Sequence, residues 1–91
     1  MNEPLSVTYV KNAMILLKAE QRSSLRLHEV YARLHRLEVR AGFADFLGNP
    51  FLQTALSILE KFSSNYRIKE AIKLLREAGE EAEKESKKKR R

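Results

Sequence analysis

The stretch Asn49-Pro50-Phe51-Leu52-Gln53-Thr54-Ala55-Leu56-Ser57-Ile58-Leu59-Glu60-Lys61-Phe62-Ser63-Ser64-Asn65-Tyr66 decides the fold class. Asn49 can accept from one of the orphan N–H groups that open every helix, and Pro50 lacks a donor where none is needed. Phe51, Leu52, Ala55, Leu56, Leu59 and Phe62 recur at the spacing that lines one side of a helix, with Gln53, Ser57 and Glu60 opposite. Ser63-Ser64-Asn65 carries no apolar side chain, so it breaks this helix and caps the next. Cap, amphipathic run, polar break and second cap read as helix, tight turn, helix.

Outward from this stretch the same period continues. Downstream, Ile68, Ala71, Ile72, Leu75, Ala78 and Ala82 make an inward face from about Tyr66 to residue 85. This face shrinks from Ile and Leu to Ala, so the last turns are expected to leave the core. Glu80–Lys84, Glu83–Lys87 and Glu85–Lys89 place Glu four residues before Lys, an orientation contributing about 0.2–0.5 kcal/mol per pair. Gly79 is the weak point, at about 1 kcal/mol against Ala. Upstream, Val7, Val10, Ala13, Met14 and Leu17 mark a helix over about 6–20, with Ser6 as its expected N-cap, or Pro4 in a first turn capped further upstream. Leu27, Val30, Tyr31, Leu34 and Leu37 mark another over about 25–41, capped by Ser23 or Ser24. Gly42 suits the left-handed position past a helix end, and the apolar link Phe43-Ala44-Asp45-Phe46-Leu47-Gly48 reads as a short turn folded against the core.

Four helices, over about 6–20, 25–41, 50–62 and 66–85, fill one domain at residues 1–85, followed by a basic tail at 86–91. The short connections predict that neighbouring helices pack antiparallel. The expected architecture is all-α: a compact three- to four-helix bundle with a helical or disordered basic C-terminal tail. Composition agrees, since 43% hydrophobic and 33% charged residues supply a core inside a charged surface. Three Gly and two Pro leave little for a turn-rich β-fold or a Gly-rich phosphate loop, and the absence of Cys excludes disulfides and cysteine-based zinc sites. The longest uninterrupted apolar run, Ala13 to Leu17, is too short to span a membrane, and Met-Asn-Glu-Pro does not resemble a secretory signal. The expected location is intracellular: cytoplasmic or nucleoid, nuclear if eukaryotic.

The net charge of +6 is unevenly placed. Residues 1–66 carry +2 and residues 67–91 carry +4, and without Lys87, Lys88, Lys89, Arg90 and Arg91 the chain is only +1. These clustered cations repel one another and gain nothing from burial, so they point to water or a polyanion. DNA or RNA phosphate, met with counterion release, is the obvious partner; nuclear import, an acidic protein surface and simple solubilisation are the alternatives.

A second cationic feature is an arginine stripe. At about 100° per residue, Arg26, Arg33, Arg36 and Arg40 fall within an arc of roughly 80°, and guanidinium forks bind phosphate or carboxylate bidentately. Glu29 lies inside the arc, so a salt-bridged surface helix is the plainer reading. His28 and His35 lie on the other side, about 10 Å apart along the axis, too far to share one metal ion. No cofactor or metal site is expected. Nor is catalysis: there is no nucleophile elbow or Walker loop, and Asp45 is the only Asp. Phe43, Phe46, Phe51 and Phe62 read as core rather than as a base-stacking platform.

Two functions fit. One is a small non-enzymatic accessory protein contacting DNA or RNA phosphates through Arg26, Arg33, Arg36, Arg40 and Lys87 to Arg91, with low sequence specificity. A variant of it is a helix-turn-helix, with Leu52–Phe62 leading into a recognition helix that presents Arg67, Lys69, Lys73 and Arg76. The other is a structural or adaptor subunit, a homodimer or a member of a larger assembly. It is suggested by the broad apolar face of the first helix, which Ile15 and Leu16 extend.

Overall fold

The computed structural model describes residues 4–89, with side chains described for 4–39 and 49–85. Four α-helices and one short 3-10 turn make up the described chain, with no strand among its residues: α1 (Leu5–Glu20), a 3-10 turn (Gln21–Ser23), α2 (Leu25–Gly48), α3 (Pro50–Glu60) and α4 (Tyr66–Lys89). At about 1.5 Å per residue, each of the two longest helices is about 36 Å long, most of the 44 Å long axis of a body 24 Å across.

The start of α3 follows the sequence reading. Asn49 Oδ1 accepts from the Phe51 N–H at 2.8 Å, and Pro50 occupies the first turn. Asn65 likewise caps α4, its Oδ1 accepting from Arg67 N at 2.9 Å and Ile68 N at 3.3 Å. Of the two serines before α2, Ser24 is the cap, accepting from Arg26 N at 3.2 Å.

Several boundaries differ from expectation. Gly42 does not end α2, which runs on to Gly48, so the expected apolar link is helix and the connection to α3 is Asn49 alone. A glycine costs a helix interior only about 1 kcal/mol relative to Ala, and no proline intervenes before residue 50. What stops α2 is Pro50, which disfavours helical dihedrals in the residue before it; Asn49 is extended, at φ −79° and ψ 130°. α3 ends at Glu60 rather than Phe62, and tight i→i−3 bonds from Lys61, Phe62 and Ser63 carry the chain into the turn. α4 continues in helical form to Lys89, so the first part of the basic tail takes the helical one of its two expected forms.

Ser6 is not the cap of α1. The helix already begins at Leu5, after Pro4, whose carbonyl accepts from Val7 N at 3.1 Å and Thr8 N at 3.2 Å. Ser6 is buried, and both its N–H, at 3.3 Å, and its hydroxyl, at 2.6 Å, donate to the Glu85 carboxylate. A carboxylate from α4 thus satisfies an orphan donor at the positive end of α1.

The most extensive tertiary contact joins helices that are not neighbours in sequence. α1 and α4, the first and last helices, lie against one another over their length, whereas helices adjacent in sequence touch over shorter stretches. The pair is antiparallel and fastened at both ends: Ser6 to Glu85 at one, and Glu20 to Asn65 and Arg67 at the other. Ala13, Ala71 and Ala78 are fully buried, and small side chains let two helices approach closely. The core is completed by Val10, Met14 and Leu17 from α1, Leu27, Val30 and Leu34 from α2, Leu52, Leu56 and Leu59 from α3, and Ile68, Ile72 and Leu75 from α4.

Candidate anion-binding face

α2 turns Leu27, Val30 and Leu34 into the core, which leaves Arg26, Arg33 and Arg36 exposed along the helix beside α3. The Arg33 guanidinium carbon lies 4.1 Å from the centre of the Phe51 ring. A cation over an aromatic face at an exposed site gains about 0.5–1 kcal/mol, and the stack fixes the plane of the fork without using its N–H donors. Phe51 is itself held at the first turn of α3 by the Asn49 cap. Two adjoining depressions share Arg33 and Phe51. One, of about 280 Å³, is lined by Arg33, Arg36, Leu37, Asn49 and Phe51; the other, of about 230 Å³, adds Arg26, Glu29 and Thr54.

The expected pairing of Glu29 with Arg26 or Arg33 does not form. Among the described residues, no carboxylate pairs with Arg26, Arg33 or Arg36. The side chains of Arg40 and of Lys87, Lys88, Lys89, Arg90 and Arg91 lie outside the described residues; the backbones of Arg40 and of Lys87 to Lys89 are helical. The same holds for the side chains of Phe43 and Phe46. Phe51 and Phe62 are half-buried against the core, and Phe51 also supplies the platform under Arg33.

The α4 face differs in charge. Arg67 Nη1 donates to Glu20 Oε2 at 2.9 Å, and Arg76 pairs with Glu60. A larger cleft of about 550 Å³ is lined by Lys69, Lys73 and Arg76, but also by Glu60, Glu70 and Glu77. Two of the four cations of the supposed recognition helix are thus spent on internal carboxylates, and the surrounding charge is balanced. Further along α4, Lys84 pairs with Glu81 at 3.6 Å rather than with Glu80, and Glu85 holds Ser6.

Glu20 is a node that the sequence did not reveal. Its two carboxylate oxygens accept from Asn65 Nδ2 at 2.6 Å and from Arg67, and these bonds, the Asn65 one foremost, hold its pKa below the ordinary value. His28 Nδ1 lies 2.9 Å from Gln21 Oε1, and His35 stacks on Tyr31 with ring centres 5.7 Å apart. No group of three or more His, Cys, Asp or Glu side chains converges among the described residues in a way that would hold a metal ion. Nor is any helix among them long and apolar enough to cross a membrane.

No family model, curated protein or solved structure matches this chain.

Proposed function

We propose that the protein is a small non-enzymatic binder of nucleic-acid phosphates. Arg26, Arg33 and Arg36 make the ordered contacts, Arg40 extends their line, and Lys87 to Arg91 act as an electrostatic arm. The observation that carries this reading is the arginine face of α2, with Arg33 set over Phe51 and, among the described residues, no carboxylate pairing with it or lining the Arg33–Arg36 depression. Fixed guanidinium forks suit phosphate oxygens bidentately, and contacts of this kind position a protein on a polymer without reading its sequence. The balanced charge of the α4 cleft makes the helix-turn-helix version the weaker one.

The test is a titration of the full chain with single- and double-stranded DNA and RNA at two salt concentrations, repeated with Arg33→Glu/Arg36→Glu. Binding that weakens with salt and falls in the variant supports the reading. No binding at low salt, or equal binding by the variant, overturns the role of this face.

The adaptor reading keeps one specific support. Ile15 on α1 is 65% exposed, a large apolar side chain outside the core. A protein partner seated on α1 would cover it.

A further inference from the structure

Leu25 and Val39 are 76% and 69% exposed, two of the largest apolar exposures among the described residues, and both belong to α2. They are fourteen residues apart, with Ala32 midway. At about 100° per residue, positions seven apart drift by only about 20°, so the three form one stripe roughly 21 Å long. On the same helical projection the stripe lies about 180° from the centre of the Leu27, Val30 and Leu34 face. It therefore looks away from the core, with Leu25 and Val39 exposed and Ala32 half-buried between them.

The charges beside this stripe are self-complementary. Glu29 and Arg36 are exposed and lie on the same flank of it, about 40–60° from the Ala32 direction. In an antiparallel pair related by a two-fold axis, each flank meets the same flank of the other copy, with residue order reversed. With the axis at Ala32, Leu25 meets the other copy's Val39, and Glu29 meets the other copy's Arg36, twice over. In a parallel two-fold pair this flank of one copy lies across the seam from the same flank of the other, so Glu29 and Arg36 do not meet. Ala32, the smallest side chain of the stripe, falls at the crossing point, where the backbones must come closest.

We propose that the outward stripe of α2 is a self-association surface whose occupant is α2 of a second copy, antiparallel and centred on Ala32. This inference shares Arg36 with the phosphate-binding reading, whereas Arg26 and Arg33 remain on the side of α2 facing α3, open in the dimer. A single helix seam is smaller than the roughly 800 Å² per partner of a standard interface, so the dimer is concentration-dependent rather than permanent.

The experiment is sedimentation equilibrium of the full chain over a wide concentration range, with helicity checked by circular dichroism. The wild type shifts from monomer toward dimer as concentration rises. Leu25→Glu/Val39→Glu stays monomeric. Glu29→Arg and Arg36→Glu each weaken the dimer at least tenfold, and the double exchange Glu29→Arg/Arg36→Glu recovers most of that loss, which a loss of folding does not do. A wild type monomeric at every concentration overturns the proposal. So does a dimer that the α2 variants leave intact, or one that Ile15→Glu abolishes, since that assigns the interface to α1. Failure of the exchange to rescue overturns the antiparallel register.

Discussion

Replacing Asn65 by Ala removes three bonds at one point. Its Oδ1 accepts from the N–H groups of Arg67 and Ile68, and its Nδ2 donates to Glu20, tying the end of α1 to the start of α4. Loss of an N-cap side chain costs about 1 kcal/mol, ranging up to about 2. The upper end applies here, because two N–H donors lose their acceptor and the half-buried site gives water limited access. For a chain of this size, 1 kcal/mol corresponds to about 4–8 °C in Tm, so Asn65→Ala should melt about 8–16 °C lower at neutral pH by the same scaling. Asn65→Asp separates the two roles. It keeps the capping oxygen but sets a carboxylate where Glu20 had a donor, and should therefore fall between wild type and Asn65→Ala. The pH dependence adds an independent check. Because the folded state lowers the Glu20 pKa, the associated stability is present above the unfolded value of about 4.3. It is lost as pH falls through the lower folded value. Asn65→Ala removes the leading cause of that depression, so part of the acid loss of Tm should vanish in the variant. Thermal melts followed by circular dichroism at pH 7 and in steps down to pH 3 measure both effects. A Tm change under 2 °C at pH 7, with an unaltered acid limb, refutes the account of Asn65 as the clamp between α1 and α4.

Gly79→Ala should raise stability by about 0.5–1 kcal/mol, because the residue is helical and a Cβ there meets nothing within 4 Å; chemical denaturation reads this, and a loss of stability sinks it. Leu34→Ala should cost about 2–5 kcal/mol, since this side chain is fully buried at the centre of the core, with the denaturation midpoint as readout. Deleting Lys87 to Arg91 should leave Tm nearly unchanged while flattening the log–log salt slope of duplex binding by about 2–4, from roughly 0.9 per phosphate contact. Unchanged affinity and slope remove the tail from the binding reading.

The elements most legible in the sequence were those that a few consecutive residues settle. Asn49-Pro50 and Asn65 were readable as caps because their bonds close within two or three residues of the cap. The core faces followed from helical periodicity alone, which is why Leu27, Val30 and Leu34, or Leu52, Leu56 and Leu59, sit where the spacing put them. The line of Arg26, Arg33 and Arg36 was legible for the same reason. Gly42 suits a helix end by its local preference, but Pro50, through its effect on Asn49, sets the actual end of α2.

What the sequence by itself determined, then, is the all-α class, the starts of α2, α3 and α4 and the side of each helix that is buried, because each depends on forces acting within about one or two turns. The tertiary structure alone decided the pairing of α1 with α4, the carboxylate of Glu85 on Ser6, the grip of Glu20 on Arg67 and the seat of Arg33 on Phe51. The first two bonds join residues 79 and 47 apart in the chain. No spacing rule reaches that far. Their formation depends on the register and closeness of two packed helices, which small buried side chains such as Ala13, Ala71 and Ala78 permit and which only the assembled core fixes.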